Sequence, residues 1–293
     1  MCFVTLKFSG RLGNQLSSFA TIYSFARKYG LRYFVTQEQY DQLTFYFEPE
    51  NLALSVVETD LPHYYTTVFG YKLSRLVWIK PWDKIDNIDN NFDYSKMQEK
   101  EFQVGKALDI GDFPNEIKTF KEYLPDLRKR FKIREKFLDR AQDLLESELM
   151  MRNMLGSDIT WVGVHNRRGD YQHHLHSLYG LSLLEADYFK RAMKIFVEDY
   201  SHVIFVVVTD DMQWARDNIK FPGVQIAYLG HSQVMEKDVD HPLTPGHDIG
   251  DDLALLASCN HTILSYGTFG QWAALLAGGR VVISETAAKT KVK

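Results

Sequence analysis

The chain has 293 residues, 45% of them apolar and 25% charged, which suffices for two hydrophobic cores of ordinary domain size and excludes a disordered or fibrous protein. A formal net charge of −4 excludes the overall basic field of a nucleic-acid binder, so any anion site must be a local cluster. Two cysteines, Cys2 and Cys259, cannot build a disulfide framework and lack the spacing of a metal site.

Residues 3 to 8 alternate and read as a strand, not as a signal or membrane segment. A turn at Ser9-Gly10-Arg11-Leu12-Gly13-Asn14 leads to a helix from Gln15 to Tyr29, with Leu16, Phe19, Ala20, Tyr23 and Ala26 on one face. Gly30 ends it and Arg32 to Val35 reads as the next strand, which makes a βαβ opening. The turn has two glycines but neither a dinucleotide fingerprint nor a Walker lysine, leaving a phosphate role and a purely structural one both open. From Thr36 to Asn115 the pattern deteriorates into short helices and long loops: Tyr40, Phe45, Tyr46, Phe47, Tyr64, Tyr65, Trp78 and Trp82 lie between Pro49, Pro62 and Pro81. Those rings either stack on sugar faces or fill a small irregular core.

Leu124 to Met151 reads as mostly helical, and Gly156-Ser157-Asp158 breaks it. The domain boundary is expected there, giving an N-terminal domain of residues 1–155 and a C-terminal domain of residues 156–293. The second half alternates cleanly: strands at Trp161–His165, Val203–Val208, Val224–Leu229, Thr262–Ser265 and Arg280–Ile283, and helices at Leu183–Tyr200, Met212–Asn218, Asp251–Ser258 and Thr268–Leu276. This predicts an α/β fold with a doubly wound parallel sheet. Ser182 and Glu185 have the spacing of a capping box that starts the first of these helices, which leaves residues 166 to 181 as a loop above the strand.

Ligands of such sheets sit at the carboxyl ends of the strands, where this chain places Arg167, Arg168 and Asp170, then Thr209, Asp210 and Asp211, then Ser265, Gly267 and Thr268. Adjacent arginines carry a permanent charge and planar donors suited to phosphate oxygens. The helix opening at Thr268 offers free N–H groups and a favourable dipole, so a diphosphate clamped between the two is the expected occupant. Asp210 has the chemistry to accept from guanine or a ribose, and Asp211 to cap the helix from Met212; a magnesium site is a third reading of the pair that the arginines make unnecessary. His165 ends a strand and is read as buried and oriented, with a nucleobase contact still open. His173, His174 and His176 share a stretch without a cysteine or carboxylate at zinc spacing and are read as touching solvent or substrate. Asn260-His261-Thr262 is a glycosylation sequon, meaningful only in the secretory pathway.

Three segments, in this order and spacing, resemble the α-1,2-fucosyltransferases, the galactoside 2-α-L-fucosyltransferases of glycosyltransferase family 11. They are Gly10-Arg11-Leu12-Gly13-Asn14-Gln15, His165-Asn166-Arg167-Arg168-Gly169-Asp170-Tyr171, and Cys259 to Ile263 continuing through Ser265-Tyr266-Gly267-Thr268-Phe269-Gly270-Gln271-Trp272. The resemblance implies a GT-B-like pair of Rossmann-like domains, with GDP-fucose in the C-terminal one and a galactose-terminated glycan acceptor on the N-terminal side. It implies an inverting transfer without a metal or other cofactor, and Golgi residence, whereas a chain complete as given would have no anchor or signal and stay in the cytoplasm. It carries phosphate binding onto Arg167 and Arg168 and nucleotide contacts onto His165, Asp210, Ser265 and Thr268, with Phe269 beside them. Arg167 and Arg168 are then expected to act in catalysis by stabilising the leaving group, with Asp170 a catalytic candidate from its place in the loop. Arg11 and Asn14 become cleft-lining residues, and Asp170, His173 and His174 are the candidates for the base. A catalytically inactive glycan-binding homologue, or a transferase for another nucleotide sugar, would use the same scaffold.

Overall fold

The computed structural model describes residues 3–5, 10–30, 32–54, 56–57, 77–78, 107–109, 117–230 and 248–289, and the chain divides into two compact units after Lys132. In the first unit, β1 (Phe3–Thr5) leads to α1 (Leu12–Tyr29), which returns the chain to β2 (Arg32–Tyr33), parallel to β1. That is the expected βαβ opening, and Gly30 ends α1 at a φ of 65°, a left-handed conformation that costs a glycine little. The helix is more deeply enveloped than its pattern implies: the expected apolar face is buried, and so are Ser17, Ser18, Thr21 and Ser24. Hydroxyls this small pack closely, and Ser17 satisfies itself by donating to the Gly13 carbonyl at 3.1 Å.

The expected strand through Val35 splits, because β3 (Val35–Thr36) leaves β1 and pairs with β4 (Val56–Val57) beyond α2 (Gln37–Tyr46) and α3 (Pro49–Leu52). A capping box between Thr36 and Gln39 fixes the start of α2. β5 (Val77–Trp78) and β6 (Ala107–Asp109) complete a parallel sheet of order β2-β1-β6-β5. Of the aromatic stretch, Phe47 is a core residue, buried 5.1 Å from Phe131 between ring centroids. Tyr64, Tyr65 and Trp82 lie outside the described residues.

The helical run expected from Leu124 to Met151 is two helices, α4 (Leu124–Arg130) and α5 (Glu135–Met151). α5 opens the second unit, whose elements follow in the order β7 (Thr160–Asn166), α6 (Tyr171–Tyr179), α7 (Ala186–Asp199), β8 (Val203–Thr209), α8 (Met212–Asn218) and β9 (Gln225–Tyr228). The chain then continues through α9 (Ile249–Ala257), β10 (His261–Leu264), α10 (Thr268–Ala277), β11 (Val281–Ile283) and α11 (Glu285–Lys289). All five strands are parallel, in the order β11-β10-β7-β8-β9. Side chains alternate across such a sheet. Val162, Val164, Phe205 and Val207 face Phe189, Ala192, Met193 and Phe196 of α7, Ala215 of α8 and Ile219 just after it. Gly163, between two of them, faces the opposite way, where an added Cβ would stand 2.9 Å from Leu256 of α9. Helices therefore cover both faces, as a doubly wound sheet requires.

Two expectations fail for identifiable reasons. The boundary expected at 155 moves to Lys132, because α5 packs with the second unit: Phe137 fills the space beside Gly250, Arg140 pairs with the buried Asp251 at 2.7 Å, and Arg152 donates to the Ile226 carbonyl of β9 at 3.1 Å. The supposed loop 166–181 contains α6, and α7 starts at Ala186 without a side-chain cap from Glu185, so the Ser182 capping box does not form. Tertiary bonds claim that segment instead. The Ser182 carbonyl accepts the Tyr266 hydroxyl at 2.9 Å and the Leu184 carbonyl accepts Arg168 at 3.1 Å, which holds residues 181–185 out of the helix. No helix among the described residues is long and apolar enough to cross a membrane.

Candidate functional site

The chain winds from β7 outward through β8 to β9, then crosses back to β10 on the other side of β7, so the strand order reverses between β7 and β10. At such a switch point the loops leaving the two strands part, and ligands bind in the opening between them. Ladder pairing sets Leu264 beside His165 and Asn166 beside Thr209, which brings the three candidate segments together without any fitting. Just beyond the ladder, the Ser265 N–H donates to the His165 carbonyl at 3.0 Å, and the Arg167 N–H donates to the Ser265 hydroxyl at 2.7 Å. Asn166, buried on the α7 side, donates to the Thr209 hydroxyl at 3.3 Å.

From that shared frame the two arginines diverge. Arg167 lies between two carboxylates, its Nη1 donating to Asp210 and its Nη2 to Asp170, with its guanidinium 5.4 Å from the Tyr171 ring. Asp210 is nearly enclosed, at 8% side-chain exposure, and its second oxygen accepts the Arg168 backbone N–H at 2.7 Å. Burial pushes the Asp210 carboxyl above its ordinary range, and Arg167 and the Arg168 N–H pull it back by less. Asp210 therefore braces the loop.

Arg168, at 12% side-chain exposure, lies with its guanidinium carbon 3.5 Å above the centre of the Trp214 ring. Its Nη1 donates to the Leu184 carbonyl at 3.1 Å and its Nε stands 3.8 Å from Asp211. Burial lowers its pKa, and the carboxylates of Glu185, Asp211 and Asp210 raise it again. Asp211 caps α8 as expected, accepting the Trp214 N–H at 3.0 Å.

On the facing side, Gly267 takes a φ of 94° to turn from β10 into α10, and no side chain caps the helix start. Close packing ties this turn to the arginine loop: a Cβ on Gly267 would stand 3.2 Å from the Tyr171 hydroxyl. One on Gly270 would collide with the His165 ring, which is buried as expected, 5.7 Å from Phe269. Gly169 is similarly hemmed in, since its Cβ would come within 2.7 Å of Asp210. A helix N-terminus with its dipole and two arginines thus border one edge of the sheet, an arrangement suited to a multiply charged anion.

The remaining candidates are dispersed. Asp170 is half exposed, and His173, His174 and His176 lie exposed along α6, with the His174 ring tilted against Tyr171 and edge-on to Tyr179. Among the described residues no group of three or more His, Cys, Asp or Glu side chains is placed to hold a metal ion. Arg11 and Asn14 begin α1 in the first unit, where the Arg11 carbonyl accepts the Asn14 N–H at 2.9 Å. Asn260 is exposed, and its carboxamide oxygen accepts the Trp161 N–H at 2.8 Å, so it extends the β7 ladder. Sequence reasoning missed Trp214 and Tyr171 as partners of the arginines. The available signal was the position of each one helical turn or less past a strand-end carboxylate.

Comparison with known proteins bears on the family and the fold. The chain is 28% identical over 280 residues to galactoside alpha-(1,2)-fucosyltransferase 2 of Mus musculus, covering 95% of this chain and 69% of that protein. It is 29% identical over 279 residues to galactoside alpha-(1,2)-fucosyltransferase 1 of Rattus norvegicus, covering 95% and 64%. Among solved structures, POFUT1 in complex with GDP superposes with a TM-score of 0.56 at 12% identity, covering 96% of this chain and 97% of that one. A mutant of Arabidopsis thaliana FUT1 in complex with GDP gives 0.54 at 15% identity, covering 98% and 71%. These likenesses bear out the GT-B-like α/β fold class. With the sequence pattern of glycosyl transferase family 11 matching residues 71–291, which include the whole strand-end site, the chain belongs to that family.

Proposed function

We propose that this chain transfers L-fucose from GDP-fucose to the 2-hydroxyl of a terminal galactoside on a glycan, with inversion at the anomeric carbon. The observation that carries the reading is the bond from the Arg167 N–H to the Ser265 hydroxyl, which joins the arginine pair to the segment opening into the uncapped start of α10. The names of the similar proteins supply the donor and the acceptor class.

In this reading the diphosphate lies between the arginines and the α10 start. The bond from the fucosyl carbon to the phosphate oxygen breaks, its electron pair stays on GDP, and the sugar takes on oxocarbenium character. The acceptor oxygen attacks from the opposite face and loses its proton. Arg168 stabilises the charge appearing on the leaving group, an interaction that accelerates the step because it strengthens in the transition state. Asp170, ion-paired with Arg167, is the candidate base that takes the acceptor's proton, and a dissociative reaction asks little of its base. The arginines supply the positive charge, so the reaction needs no metal. The first unit, with Arg11 and Asn14, takes the acceptor side.

Incubation with GDP-fucose and a β-galactoside, with the product's linkage and anomeric configuration read by NMR, tests this directly. An α-1,2-fucosylated product formed equally well in a chelator is expected. Binding of the galactoside without transfer would identify an inactive homologue instead, and transfer from a UDP or ADP sugar would identify a different donor.

A further inference from the structure

A planar guanidinium reaches a ligand usefully only when its plane is fixed, because its five N–H donors all lie in that plane. Arg168 is fixed without help from a close carboxylate. One edge is held by the Leu184 carbonyl at 3.1 Å, Asp211 stands off at 3.8 Å, and one face lies on the Trp214 ring at 3.5 Å. Among the described residues no acceptor takes an Nη2 hydrogen, so that end of the fork is available to a ligand.

Trp214 is itself held firmly. Its backbone N–H bonds the Asp211 carboxylate at 3.0 Å, and its ring meets the fully buried Phe189 edge-on at 6.2 Å. The indole therefore rests on the sheet core and offers its π face to the cation, the strongest of the aromatic platforms for one.

We propose that Trp214 is a positioning residue for catalysis: stacking under Arg168, it sets the guanidinium plane so that the Nη2 end faces the diphosphate leaving group. This rests on the reading of Arg168 given above and deepens it. Trp214 touches no reacting atom and acts only through Arg168.

The test compares Trp214→Tyr, which keeps a π face, with Trp214→Leu, which keeps bulk without one, each alone and combined with Arg168→Ala. Turnover with GDP-fucose, KM and thermal melts are read for each. Trp214→Leu is expected to lower kcat about tenfold with a smaller change in KM, Trp214→Tyr to recover most of it, and Trp214→Leu to add little once Arg168 is gone. An equal loss in the Arg168→Ala background, or Tyr and Leu behaving alike in proportion to their melts, would overturn the inference. Turnover unaffected by Arg168→Ala would instead remove the underlying reading of Arg168.

Discussion

Two neighbouring arginines on one strand end occupy opposite electrostatic settings. Around Arg167, the enclosed Asp210 and the half-exposed Asp170 share the charge, so the group fastens the loops that follow β7 and β8. Around Arg168, the direct supports are a carbonyl and an indole face, with Asp211 at 3.8 Å and the more remote carboxylates of Glu185 and Asp210 acting on its charge, an arrangement that orients the cation and leaves its Nη2 end for a ligand. A guanidinium bonded directly to two carboxylates braces the segments that carry them, whereas one oriented mainly by a carbonyl and a ring keeps donors for a charge that develops in the reaction. Residue type alone does not separate the two; the partners do.

The largest effect expected from this contrast is on turnover. Arg168→Ala should lower kcat by about a hundredfold to a thousandfold, the range for losing one preorganised donor at a developing negative charge, with a smaller loss of stability than Arg167→Ala. Arg167→Ala should show the reverse balance. It removes the cation that pairs with the enclosed Asp210, and should cost about 1–3 kcal/mol of stability at neutral pH, read from denaturant unfolding. If the two variants exchanged these signatures, the assignment of roles would be inverted.

A smaller effect concerns pH. Because burial raises Asp210 above the ordinary carboxylate range, ionising it withdraws stability from the fold as pH rises through its midpoint. Asp210→Asn has no such ionisation, so its melting temperature should gain on that of the wild type between about pH 4 and about pH 7. A difference that stays flat or shrinks over that interval would show that Arg167 outweighs the burial of Asp210.

Much of this site was legible in the sequence because parallel sheets place their ligand-bearing loops by rule. Once β7, β8 and β10 are recognised as buried strands, Arg167, Asp210 and Ser265 fall on one edge, and the helix opening at Thr268 is visible from its preceding glycine. The details that failed depend on contacts distant in sequence. Ser182 and Glu185 have the spacing of a helix start, but the carbonyls of Ser182 and Leu184 bond Tyr266 and Arg168, and no local pattern records that. The domain boundary was misplaced for the same reason: α5 is an ordinary amphipathic helix whose allegiance is settled by Phe137 against Gly250 and by Arg140 with Asp251. The charge state of each arginine's surroundings was also hidden, since it depends on which carboxylate the fold turns inward.

The central claim, that a guanosine diphosphate is held between the arginine loop and the start of α10, is tested most directly by titrating GDP into the wild type and into Arg168→Ala and following thermal stability. Saturating ligand at a hundred times its Kd stabilises a protein by about 2.7 kcal/mol. The account predicts a clear upward shift for the wild type with GDP, a weaker one with UDP or ADP, and a shift largely lost in Arg168→Ala. Equal stabilisation of the two proteins by GDP, or none of either, would contradict it.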